Sequence, residues 1–405
     1  SVHLSVRPSI RLSVCPSVHR SVCQMNQYMN PHLSPYLCGF RKGFNTQQAL
    51  LSLIENWKKI LDNKGFGGAV LMDLSKAFDT LNHELLIAKL HAYGFQRDSL
   101  RLLYSYLTNR WQRTKVNSSF SSWTELLQGV PQGSVLGPLL FNIYLNDLFF
   151  ITESTEVCNF ADDTTFYACD NNLSSLMNRL EHDSYLAIEW FENNHMKLNQ
   201  DKCHLIVPGY KFENVFAKIG ESKIWDSSKK KLLGLELDRD LKFNDYVFSL
   251  CKKAGQKLSV LKRVSNFMNF KQRKTLMKSF IEAQFGYCPL IWMFCGRAAN
   301  NKINHIHERS LRIVYNDYIS SFKDLLRREK TFTIHHRNIQ SLAIELFKVK
   351  NNISNTIISE LFETRSVNYN LRSESYFPVK CIKTSQYGIS SIRFFCVKGL
   401  EYDSS

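Results

Sequence analysis

Residues 157–168 read V-C-N-F-A-D-D-T-T-F-Y-A, and no other stretch restricts the architecture as strongly. Aromatic and β-branched residues flank an Ala-Asp-Asp bend, which predicts two short strands joined by a tight turn and hence an antiparallel pair. Asp162 and Asp163 place two negative charges at that bend, although the chain's 52 Lys and Arg outnumber its 36 Asp and Glu, for a formal net charge of +16. Two carboxylates ~4 Å apart repel by about 4 kcal/mol at an effective dielectric of ~20, so acid concentrated at one tip calls for a counter-ion.

The surrounding pattern extends this pair into a domain. "GGAVLMDLSKAFD" predicts a buried strand from Ala69 to Leu74, opened by Gly67-Gly68, with Asp73 near its end. A helix follows, capped by Asn82, with Leu85, Leu86 and Leu90 on one side and Gly94 as its stop. "RWQRTKV" and "SSWTELL" predict paired strands around a polar turn at 117–119, and "GVPQGS" leads into a helix from Pro138 to Asp147. After the acidic hairpin, apolar residues at 173, 176, 177, 180, 187, 188 and 191 follow the helical period, and "CHLIV" adds a strand. This order predicts an α+β domain with helices on one face of a mostly antiparallel sheet.

Beyond about residue 246 the pattern is helical and cationic. Between Tyr246 and Ile281 there is no acid, while Lys252, Lys253, Lys257, Lys262, Arg263, Lys271, Arg273, Lys274 and Lys278 recur among apolar positions. A solvated face mixes both signs, so this run predicts a track for a polyanion. At the other end, Ser recurs at 1, 5, 9, 13, 17 and 21, a period of four that suits neither strand nor helix; residues 1–24 are expected to be disordered and outside the fold. The 11 cysteines contain no C-x-x-C pair, which predicts reduced thiols and an intracellular setting, nuclear or cytoplasmic, rather than a disulfide framework or zinc ribbon. The most apolar stretch is broken by Pro138, Asn142, Asn146 and Asp147, so no membrane span is expected. His305, His307, His335 and His336 lack a cysteine partner at ligand spacing and are assigned to packing or surface.

If the strand ending at Asp73 neighbours the hairpin, the carboxylates of Asp73, Asp162 and Asp163 meet at one sheet edge. Mg²⁺ takes one or two carboxylates plus phosphate oxygens and water, and two such ions roughly 3.5–4 Å apart serve in-line nucleotidyl transfer. The expected cofactor is therefore a pair of Mg²⁺ ions, with Mn²⁺ as the substitute.

Several segments stand together in order and spacing: "LSPYLCGFRKGFNTQQALL", "AVLMDLSKAFDTLNHELLIAKL", "LLQGVPQGSVLGPLLFNIYLNDL", "CNFADDTTFYA", "MKLNQDKCHLIV" and "KKLLGLELDRDLKF". Over roughly residues 33–350 this arrangement resembles the reverse transcriptases of non-LTR (LINE-type) retrotransposons. The resemblance implies a right-hand polymerase palm over 69–245, a partial fingers over 25–68, a helical thumb over 246–350 and a truncated extension over 351–405. It implies that Asp73, Asp162 and Asp163 are the catalytic, metal-holding carboxylates and that Lys202 lies near the triphosphate as a general acid. The backbone at Leu74 would help hold the incoming nucleotide, and Phe78 would bar a 2′-hydroxyl. Gly129, Pro131, Gln132 and Gly133 match the loop against nucleotide and template, and Leu233 and Gly234 the turn that grips the primer. Arg41 and Lys42 would meet phosphate or template, and the helical cations the duplex backbone.

The implied partners are an RNA template, a DNA primer and deoxynucleoside triphosphates, and the implied activity is RNA-directed DNA polymerisation. Matching elements carry an endonuclease ahead of the polymerase, where this chain has the repeat, so it is expected not to nick its own target. The alternative is an inactive retroelement remnant that binds nucleic acid non-specifically through its basic helices. An intron maturase activity is weaker, because no separate maturase domain is visible.

Overall fold

In the computed structural model, which describes residues 2–7, 16–210, 215–227, 229–362 and 382–395, the chain opens with β1 (Val2–Arg7), α1 (Pro16–Met29) and α2 (Thr46–Asp62). There follow β2 (Phe66–Met72), α3 (His83–Ala92), α4 (Arg97–Leu107), β3 (Arg110–Val116), β4 (Ser119–Phe120), β5 (Thr124–Leu126) and α5 (Gly137–Leu145). Next come β6 (Glu156–Phe160), β7 (Asp163–Asp170), α6 (Leu173–Asn193), β8 (His204–Ile206) and two hairpins, β9 (Phe216–Ile219) with β10 (Ser222–Trp225) and β11 (Lys229–Leu232) with β12 (Leu235–Asp238). The described elements that follow are helical: α7 (Asn244–Val264), α8 (Phe270–Leu276), α9 (Pro289–Trp292), α10 (Arg297–Tyr315), α11 (Phe322–Glu329), α12 (Ile334–Lys350) and α13 (Thr356–Ser359).

The sheet that positions the acids runs β6-β7-β2-β8 and is antiparallel throughout. Side chains alternate across it, and β2 shows both faces buried. Gly67 lies under Trp57 of α2, where a Cβ would stand 2.5 Å from the indole; Gly68 lies under Leu176 and Leu180 of α6. Ala69 and Leu71 join the core under α2, whereas Val70 and Met72 join the core that contains α5 and α6. The α+β antiparallel expectation therefore holds, but helices cover both faces instead of one. The near-continuous apolar run of β2 is the cause, since a strand buried on both sides has no polar face to leave open.

One further reading changes. The period-four segment was expected outside the fold, yet Val2–Arg7 pairs antiparallel with β3 and Pro16–Met29 is helical. Ladder bonds use backbone groups, so an open strand edge accepts a partner whatever its side-chain period. Residues 1 and 8–15 of that segment lie outside the described residues.

The extension after residue 350 is anchored by Ile382–Phe395. Asp62 Oδ1 accepts from the Thr384 N–H at 2.7 Å, Lys58 Nζ donates to Ser390 O at 2.6 Å, and Ile392 is fully buried. Residues 363–381 and 396–405 lie outside the described residues.

Candidate active site

Antiparallel register brings the acids together. Met72 pairs with Thr164 across β2 and β7, so Asp73, one step further, faces Asp163. The turn between β6 and β7 is held from inside: the buried Asn159 amide donates to Ala161 O and to Thr164 Oγ1, each at 2.9 Å. Ala161 takes a left-handed φ of 59°, and Gly39 packs so closely that a Cβ there would meet Ala161 N at 2.3 Å. Asn142 of α5 fixes that approach by donating to Gly39 O at 2.8 Å. The tip bearing Asp162 and Asp163 is thus clamped by residues far away in sequence.

Asp73 and Asp163 line a cleft of about 180 Å³ with Lys202, His204, Lys231 and Leu233. Acidic and cationic side chains therefore share the lining of one cleft. Partial burial, then Asp162, then Asp73, push the Asp163 carboxyl above the ordinary carboxylate range. Lys202 Nζ stands 3.2 Å from Asp73 Oδ2, and Asn199 N–H donates to Asp73 O at 2.9 Å, so the segment 199–202 grips Asp73 by backbone and side chain. His204 is pushed below its ordinary value by burial and by the nearby Lys230.

The carboxylates supply hard oxygen donors, and Asp163, raised first by burial and then by Asp162 and Asp73, would gain from a nearby divalent cation; in donor chemistry the residues fit such an ion. Among the described residues, however, no three His, Cys, Asp or Glu side chains are gathered closely enough to hold a metal. The expected meeting of three acids is realised as a facing pair, Asp73 and Asp163, with Asp162 adjoining.

The expected nucleotide-side residues form a second group. Phe78 sits on a short 3₁₀ turn (Ala77–Asp79), its ring stacked on Phe141 at 4.1 Å and edge-on to Phe40. Val130 N–H donates to Phe78 O at 2.9 Å, and Gln132 Nε2 donates to Asp79 Oδ1 at 2.9 Å. Gly129 has φ of 86°, and a Cβ there would clash with the Asp79 backbone at 2.7 Å. Pro131 O accepts from the Ser134 hydroxyl at 2.7 Å, while Gly133 stands in open space. The loop is therefore moored to the turn that carries Phe78. Ser75 N–H bonds Lys197 O, and neither this bond nor the one from Asn199 uses the Leu74 N–H.

Leu233 and Gly234 form the β11–β12 turn, both with positive φ, and the Tyr287 hydroxyl donates to Leu233 O. Nothing in the sequence signalled Tyr287, Gly39 or Asn159; an Asn just before an acidic hairpin tip was the one available hint.

Other expected contacts are spent inside the protein. The Arg41 guanidinium donates to Ser34 O, Leu37 O and Asn30, so it organises 30–37, while Lys42 is exposed. Lys274 and Lys278 both pair with the buried Glu329 carboxylate, at 2.9 and 3.1 Å. Lys252, Lys253, Lys262, Arg263 and Lys271 are exposed, Lys257 and Arg273 half-buried. His307 is buried against Glu282 at 3.3 Å, as a packing histidine should be.

Residues 6–237 match the family model described as reverse transcriptase (RNA-dependent DNA polymerase). Among curated relatives, the chain is 26% identical over 291 residues to the probable RNA-directed DNA polymerase from transposon BS of Drosophila melanogaster, covering 68% of this chain and 32% of that protein. It is 24% identical to the RNA-directed DNA polymerase from mobile element jockey of the same organism, covering 68% and 31%. The chain spans about a third of the length of these relatives. Among solved structures it is similar to apo telomerase from Candida tropicalis, with a TM-score of 0.42 at 13% identity, covering 85% of this chain and 60% of that one. No described helix is long and apolar enough to cross a membrane.

Proposed function

The chain belongs to the reverse transcriptase (RNA-dependent DNA polymerase) family, and from that premise we propose that it extends a DNA primer with deoxynucleotides along an RNA template. The observation that carries this reading is the register that sets Asp73 opposite Asp163 in a cleft shared with Lys202. On this reading residues 69–245 are the palm, 25–68 a partial fingers and 246–350 the thumb.

Asp73, Asp162 and Asp163 would hold two divalent cations, Mg²⁺ or Mn²⁺. When bound, such a pair lowers the pKa of the attacking hydroxyl and neutralises charge on the departing pyrophosphate. Lys202, beside Asp73 at 3.2 Å, would lie near the triphosphate and could donate a proton to the departing pyrophosphate. The Phe78 ring, stacked on Phe141, would bar a ribose 2′-hydroxyl. The Gly129–Gly133 loop offers backbone without side chains to the nascent pair, and the Leu233 turn lies against the primer end.

Exposed cations on α7 and at the start of α8 hold the duplex by its phosphates without reading sequence. Template geometry is then recognised through shape and 2′-hydroxyls.

Primer extension on an RNA template with Mg²⁺ tests the proposal. Incorporation that disappears in Asp162→Ala supports it. Salt-sensitive binding without any incorporation overturns it in favour of an inactive, nucleic-acid-binding remnant.

A further inference from the structure

Away from the cleft, β3 pairs with β1, β4 and β5 in a small sheet, and the side chains of β3 and β4 make an unusual exposed face. Trp111, Arg113 and Lys115 alternate along β3 and therefore share one face, over a length of about 13 Å. Phe120 lies directly opposite Lys115 in the register and joins them. Trp111 and Phe120 are 44% and 47% exposed, large values for rings of this size. Arg113 lies with its guanidinium 3.9 Å from the Phe120 centroid and 4.7 Å from that of Trp123, and Lys115 Nζ stands 5.2 Å from Phe120. Among the described residues no carboxylate pairs with Arg113 or Lys115.

We propose that this face is a stacking platform for single-stranded RNA, namely the unpaired template strand ahead of the cleft. The strand assignment rests on the polymerase reading; the binding chemistry does not. Cations left without acid partners seek phosphate, and flat, exposed rings seek the faces of bases. A duplex hides those faces by stacking, so the combination favours an unpaired strand. Position supports the same occupant, because β5 runs into Gln128, which bridges to Asn82, and then directly into the Gly129–Gly133 loop.

The test uses the full chain and two labelled primer–RNA template duplexes, one blunt and one with an unpaired template overhang of about ten nucleotides. Fluorescence anisotropy should show that Trp111→Ala with Phe120→Ala weakens binding of the overhang substrate about tenfold and leaves the blunt duplex unchanged. Trp111→Phe, which keeps a ring, should retain most of the affinity, and circular dichroism melts should match the wild type. Equal loss on both substrates, or no loss on either, overturns the proposal. Extension by the wild-type chain, run in parallel, reads the polymerase proposal separately: overhang-dependent binding without extension sinks that reading while upholding the platform.

Discussion

The hydroxyl of Tyr287 donates to the carbonyl of Leu233, tying the chain between α8 and α9 to the β11–β12 turn that lines the acidic cleft. Trp292 Nε1 in turn donates to Tyr287 O at 3.0 Å, so the tyrosine is held from behind. Leu233 has a φ of 46°, a left-handed value that a bulky residue keeps only when its surroundings impose it. Tyr287→Phe should lower stability by about 1 kcal/mol and raise KM for the primer–template with a smaller change in kcat. Urea melts and steady-state extension check both parts.

Asp163→Asn separates stability from activity. The folded-state pKa of Asp163 is raised, so its favourable contribution is full below the ordinary carboxylate range and is lost as pH rises through the raised value. Asn resembles the protonated form; at neutral pH the variant should melt about 1 °C higher in the absence of divalent cations, and incorporation should vanish. A lower melting temperature at pH 7 would contradict the repulsion argument.

The lysines of the basic run should divide into two classes. Lys274→Ala with Lys278→Ala leaves the buried Glu329 carboxylate without its cations and should cost about 3 kcal/mol of stability, with an unchanged salt dependence of RNA binding. Lys252→Ala, Lys253→Ala and Lys262→Ala combined should leave stability within about 1 kcal/mol and reduce the slope of log K against log salt by about 2 to 3. Salt titrations of both variants discriminate the classes.

Acid sensitivity should reside partly in the helical region. Burial acts upward on Glu282, but hydrogen bonds from His307 and Arg337 hold its carboxyl down to about 2, against an ordinary value of 4.5. Its stabilisation is therefore full above about pH 4.5 and is lost as pH falls toward 2. Glu282→Gln should be less stable at pH 7 and should show a shallower loss of stability between those limits, as read by denaturation at a series of pH values.

Phe78→Val should admit ribonucleotides. If Phe78 bars the ribose 2′-hydroxyl as proposed, removing the ring that stacks on Phe141 should lower discrimination against ribonucleoside triphosphates by tenfold or more, measured as the ratio of kcat/KM values. The truncation should also cost about 2 kcal/mol, because Phe141 loses a partner.

How far the sequence reaches is visible at individual residues. The hairpin carrying Asp162 and Asp163, the strand ending at Asp73 and the helix capped by Asn82 each follow from neighbours within a few positions, since side-chain period and capping are local properties. The helical cations were equally legible as a run of charge, but not which of them are spent on Glu329, a residue about fifty positions away. Arg41 looked free for phosphate for the same reason, and its guanidinium is taken up by carbonyls of 30–37.

The amino-acid order alone therefore determined the acidic hairpin, the strand ending at Asp73, the helix capped by Asn82, the basic character of the chain, and the presence of paired acids at a turn. Tertiary structure decided that β2 lies between β7 and β8, that Asp73 faces Asp163, that Gly39 and Asn142 clamp the acidic tip, and that Tyr287 holds the Leu233 turn. Propensity and period act over a few bonds, whereas strand register and ion pairing are chosen by which distant surfaces can be buried against each other at once.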